Sequence, residues 1–141
     1  MLTNGFRIHP HSIVKKYYTN SNGIILDADY IDVNKKQFSS IVSKLSVNVT
    51  PFSKIRITYS GTMEARVDDR EINCRFSLIK TDKKTIVTRT MELSVYPEAR
   101  FRDIDVTDIN EHVFLYINPY FNNRLYITHA QFIVRKIEFI K

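Results

Sequence analysis

The stretch "SKLSVNVTPFSKIRITYSG", residues 43–61, holds two runs of alternating apolar and polar residues separated by a proline. In the first, Leu45, Val47 and Val49 fall on one face; in the second, Ile55, Ile57 and Tyr59 do so, leaving Arg56 and Thr58 on the other. A period of two is that of a half-buried strand, since successive side chains point to opposite faces. Pro51 breaks the pattern where a turn is needed.

The same alternation extends through the chain. "EINCRFSLIK" places Ile72, Cys74, Phe76 and Leu78 together, and "TIVTRTMELSVY" sets Met91, Leu93 and Val95 against Thr90, Glu92 and Ser94. "FRDIDVTD" contributes Ile104 and Val106, "HVFLYIN" contributes Val113, Leu115 and Ile117, and "RLYITHAQFIVRKIEFIK" closes the chain as one long strand or two shorter ones. Short strands at this spacing, with Gly, Pro, Asp or Asn between them, predict an antiparallel β-sandwich. Its core is expected to hold Ile55, Ile57, Cys74, Phe76, Leu93, Val95, Leu115 and Ile117. Only "NKKQFSSIVSKL" departs: Phe38, Ile41, Val42 and Leu45 follow a helical spacing, and Asn34 with Gln37 resembles a capping box. Residues 34–45 are therefore expected to supply at most one short helix or an irregular turn.

A length of 141 residues suits one domain, so residues 1–141 are read as a single sandwich domain with residues 1–12 as an extended N-terminal arm. No apolar run reaches the roughly 18–20 residues of a membrane span, and "MLTNGFRIHPHSIVKKYY" has no signal-like apolar core. The single cysteine, Cys74, sits on an apolar face and reads as a core residue made in a reducing compartment. The net charge of +6 is concentrated early: residues 1–60 carry eight Lys/Arg against three acids, whereas residues 101–141 carry five of each. Such an excess suits an acidic partner or simple solubility.

Catalytic signals are absent from this sequence. His9 and His11 flank Pro10, with His112 and His129 far away in sequence, and no zinc-type spacing results. Three glycines and no G-x-S-x-G or H-E-x-x-H leave neither a phosphate loop nor a nucleophile elbow. The aspartates of "DADYID" (Asp27, Asp29, Asp32) and "RDIDVTD" (Asp103, Asp105, Asp108) lack the turn glycine of an EF-hand loop and read as solvated strand positions. The expectation is a non-enzymatic protein needing no metal and no cofactor. A basic patch with rings, Lys15, Lys16, Tyr17 and Tyr18, is the nearest approach to a nucleic-acid surface; it is short, and no oligonucleotide-binding signature follows.

"VFLYINPYFNNRLYI", residues 113–127, carries five rings in fifteen residues. Pro119 and Asn122-Asn123 predict a hairpin loop. Tyr116 and Tyr126 would then lie on its arms and Tyr120 and Phe121 at its tip. Tyr120 and Phe121, with Arg124, are the candidate contact to a partner protein or glycan.

Taken together, Gly23-Ile24, Val47-x-Val49, Pro51 and Ile55-Arg56-Ile57-Thr58 resemble the opening of jelly-roll domains of the galactose-binding or carbohydrate-binding-module type found in phage tail and other virion proteins. "FSLIKTDKKTIV" looks like the hairpin that follows there and "FIVRKIEFI" like the closing strand, so the likeness spans residues 20–140. Phe52 stands where those domains usually carry a glycine, and the chain has no Trp for sugar stacking. The resemblance implies a jelly-roll sandwich serving as a structural or adhesive component of a phage-like virion. Its partners would be other virion proteins, copies of itself or a surface glycan, with neither nucleic acid nor membrane, after synthesis in the host cytoplasm. The alternatives are a carbohydrate-binding module recognising a cell-surface glycan and a basic nucleic-acid-binding β domain.

Overall fold

Apolar residues at every second position can be buried only if a second surface covers them, and here two sheets cover one another. The computed structural model describes residues 5–9, 17–31, 39–65, 72–80, 87–121 and 127–141. Its strands are β1 (Phe6–Ile8), β2 (Tyr18–Asn20), β3 (Gly23–Ile31), β4 (Ile41–Ser43), β5 (Val47–Asn48), β6 (Lys54–Ala65), β7 (Ile72–Lys80), β8 (Val87–Ser94), β9 (Arg100–Asp105), β10 (His112–Phe121) and β11 (Ile127–Ile140). One sheet, here sheet A, runs β1-β4-β10-β7-β8, with β5 added beside β10; sheet B runs β2-β3-β11-β6-β9. All pairings are antiparallel. The protein is an all-β sandwich of jelly-roll type, with no helix among the described residues.

The alternating runs enter the core as expected. Ile55, Ile57, Cys74, Phe76, Leu93, Leu115 and Ile117 are fully buried, whereas Val95 is half-buried and packs against the cluster from its margin. The inner face of sheet B supplies Ile24, Leu26, Tyr59, Phe132 and Val134, with the Tyr59 and Phe132 rings stacked 6.1 Å apart. Gly23 lets β3 turn in beside β11: its φ is +124°, and a Cβ there would lie 2.1 Å from the Val134 carbonyl oxygen.

Three expectations are corrected. Ile41–Ser43 is not helical but forms β4, because Ile41 reaches the core through the sheet while Leu45 stands 79% exposed. Residues 34–38 lie outside the described residues. Within the expected arm of residues 1–12, residues 6–8 are seated in sheet A, where β1 pairs with β4 and the Phe6 ring is fully buried; residues 1–4 and 10–12 lie outside the described residues. The third concerns β10 and β11, which form no hairpin. They belong to different sheets, and residues 122–126 between them, with Asn122 and Asn123 of the expected loop, lie outside the described residues. Asn118, Pro119, Tyr120 and Phe121 continue β10 against Arg75, Cys74, Asn73 and Ile72 of β7. Pro119 is tolerated because β4 pairs only as far as Ile117, so its missing N–H interrupts no second ladder.

Phe76 tests this register. Phe76→Ala removes a fully buried ring, and the expected loss of about 3–5 kcal/mol of unfolding free energy should appear in urea denaturation.

Candidate functional site

The positions of β7 and β10 that do not face the core form the outer face of sheet A. Along β10 these are Phe114, Tyr116, Asn118 and Tyr120, opposite Ile79, Ser77, Arg75 and Asn73 of β7. On the next strand, Val87, Thr90, Glu92 and Ser94 of β8 stand opposite Ile79, Ser77, Arg75 and Asn73. On the other side, Val42 of β4 stands opposite Tyr116, and the His9 ring lies 4.8 Å from the Tyr116 ring. Half-buried rings thus flank small polar side chains, among which Ser77 and Asn73 are only 1% and 6% exposed.

Side-chain hydrogen bonds cross this face. Ser40 Oγ donates to Asn118 Oδ1 at 2.6 Å, and Ser77 and Thr90 share a hydroxyl–hydroxyl bond of 3.1 Å. Arg75 Nε donates to Glu92 Oε1 at 2.7 Å, while the Tyr120 hydroxyl donates to Glu92 Oε2 at 2.5 Å. The Arg75 guanidinium also sits 5.3 Å from the Tyr120 ring centroid. Because Tyr120 is opposite Asn73 and Glu92 is opposite Arg75, the Tyr120–Glu92 bond runs diagonally across three strands. The Asn73 amide nitrogen next to this network is buried with no hydrogen-bond partner among the described residues.

The charges in the trio are locked. Burial acts to raise Glu92, but the Tyr120 and Arg75 hydrogen bonds more than offset it and hold the carboxyl below its ordinary range. The Glu92 hydrogen bond raises Arg75; burial, then the Glu92 bond, raises Tyr120. All three shifts run away from neutrality, so the Arg75 and Glu92 charges persist side by side.

The residues expected to form sites are not assembled into one. Tyr120 is a strand residue in this network rather than a loop tip. Phe121 ends β10 opposite Ile72, and Arg124 lies outside the described residues. Lys15 and Lys16 of the basic patch also lie outside them. The Tyr17 hydroxyl donates to the Phe6 carbonyl at 2.5 Å from a half-buried position, whereas Tyr18 is 39% exposed and accepts a bond from Gln131. Cys74 is fully buried, and desolvation pushes its thiol well up despite an opposing Asn118 backbone hydrogen bond. The second aspartate cluster does not converge: Asp103 takes Arg56 at 2.8 and 3.1 Å, Asp105 takes Thr107, and Asp108 takes Arg89 at 2.7 Å. Nothing in the sequence flagged Asn73, Arg75 or Glu92, because only strand pairing brings them to Tyr120.

No protein family matches the chain by sequence, and no curated protein does. Its fold is similar to solved structures. One is a family 61 carbohydrate-binding module in complex with β-1,4-galactotriose (12% identity, TM-score 0.53, covering 97% of this chain and 90% of that one). Another is a family 4 carbohydrate-binding module (8%, TM-score 0.51, 90% and 77%). A third is a chain of the accessory secretory protein 1, 2 and 3 structure from Streptococcus pneumoniae (10%, TM-score 0.50, 96% and 95%). The likeness bears out the jelly-roll resemblance to carbohydrate-binding modules in its fold.

Acid should expose the carboxylate contacts. Hydrogen bonds from Arg56 hold Asp103 low, as Tyr120 and Arg75 hold Glu92. A carboxylate held below its unfolded value stabilises the fold above that value, and the contribution is lost as pH falls through the folded one. Urea midpoints measured from about pH 6 to about pH 3 should fall less steeply in Asp103→Asn and Glu92→Gln than in the parent.

Proposed function

We propose that this chain is a non-enzymatic recognition module that holds a glycan on the outer face of sheet A. The observation carrying this reading is the Asn73 amide, 6% exposed and without a partner among the described residues, beside the Arg75–Glu92–Tyr120 network. A buried donor left unsatisfied is costly, and a ligand hydroxyl is an acceptor that would relieve the cost. Sugars need fixed donors and acceptors next to flat apolar surfaces, and Asn118, Arg75 and Glu92 stand among Phe114, Tyr116 and Tyr120. The galactotriose complex of the family 61 module lends support through its fold.

A second reading is membership of a larger protein assembly, of which the phage-like virion expected from sequence is one kind. Leu45 at 79% and Phe101 at 57% exposure favour it, each a large apolar side chain left at the surface for a partner to cover. The fold likeness to a chain of the secretory complex supports the same reading. In the virion case the chain would be made in the host cytoplasm and act in the particle.

The test is a glycan array followed by calorimetry with galacto- and xylo-oligosaccharides. The parent should bind at least one class, and Asn73→Ala should weaken that binding on the order of tenfold without loss of fold. Silence across the array, or an Asn73→Ala protein that binds as the parent does, overturns the glycan reading.

A further inference from the structure

β9 closes one side of sheet B: it pairs with β6 and with no other described strand, so its second edge is open. Natural sheets commonly guard such edges with charge. The charges here are unequally matched. Asp103 is matched by Arg56 and by Lys54 at 3.4 Å. Arg100 and Arg102 meet no carboxylate among the described residues. The Arg100 guanidinium instead lies 3.7 Å over the Tyr96 ring, and Arg102 reaches only the Glu92 carbonyl oxygen, at 3.5 Å. Between them in sequence, on the opposite face, Phe101 is 57% exposed with Arg56 over its ring.

The neighbouring turn is held in place. Gly61 N–H donates to the Tyr96 carbonyl at 2.9 Å, and a Cβ on Gly61 would lie 2.3 Å from Val95 Cγ1. Tyr96, 43% exposed, therefore stands on a backbone seated directly against β6. The open edge ends at Asp105, whose carbonyl is already taken by Arg89.

We propose that the β9 edge is a docking site for an extended acidic segment of a partner polypeptide, added to sheet B as a further strand. Strand addition satisfies the open backbone groups, and alternation of side chains sets the sequence preference. Residues directly opposite share a face. Acids opposite Arg100 and Arg102 would neutralise two cations that no carboxylate among the described residues matches, and an apolar residue opposite Phe101 would cover its ring. The preferred segment reads acid–apolar–acid. This surface is separate from the outer face of sheet A, and its failure would leave the glycan reading untouched.

The test uses a short labelled peptide of alternating Glu and Val, with a Lys/Val peptide as control, titrated into the isotope-labelled protein. Binding should perturb amides of Arg100–Ile104, and weaken as salt rises. It should fall at least about tenfold in an Arg100→Glu, Arg102→Glu variant with an unchanged fold. Equal binding of the Lys/Val peptide, an unaffected charge-reversed variant or perturbation confined to sheet A would overturn the proposal. So would occupation of the edge by a second copy of the chain, seen as concentration-dependent mass.

Discussion

Nine consecutive residue pairs join β10 to β7, from Val113 with Lys80 to Phe121 with Ile72, and this ladder decides both sides of sheet A. Side chains alternate strictly along a strand, so the register that buries Leu115, Ile117, Phe76 and Leu78 also places Tyr116, Tyr120, Arg75 and Asn73 outside. A slip of one residue would exchange the two sets. Burial of Phe76 and Leu115 in the core thus positions the polar network on the opposite face of the same strands.

Alternation made much of the architecture legible. The runs around Ile55-Ile57, Cys74-Phe76-Leu78, Leu93 and Leu115-Ile117 became strands with those residues inward, because a period of two is a local property. Connections were less readable. Asn-Pro and Asn-Asn read locally as a hairpin loop, and only the long-range pairing of β10 with β7 shows that Asn118 and Pro119 continue a strand. The helical spacing of Ile41 and Val42 misled for a related reason: in β4 Ile41 faces the core, while Val42 is buried on the outer face beside Tyr116. The site was the least legible part. Tyr120 and Glu92 lie 28 residues apart, and no local pattern marks two strand residues that meet diagonally across a third.

The positive charge is easier to understand on the fold than in the sequence. Arg56, Arg75 and Arg89 are each tied to a carboxylate on a neighbouring strand or loop. Arg100 and Arg102 are tied to none among the described residues, and they stand at the end of a sheet beside two exposed rings. Matched charges rigidify the surface, whereas unmatched ones at an open edge leave attraction for something outside the chain. The outer face of sheet A presents the complementary case, with paired charges and, among the described residues, the orphaned Asn73 amide donor.

Everything said of that face depends on Tyr120 being a strand residue opposite Asn73 rather than the tip of a hairpin. Backbone nuclear Overhauser effects in the isotope-labelled protein test this directly. Cross-strand effects should join Asn118–Tyr120 to Asn73–Arg75, with no backbone effects pairing β10 to β11. A ladder of backbone effects joining residues 113–121 to residues 127–135 would contradict the account, since Tyr120 would then lie away from Asn73 and Glu92.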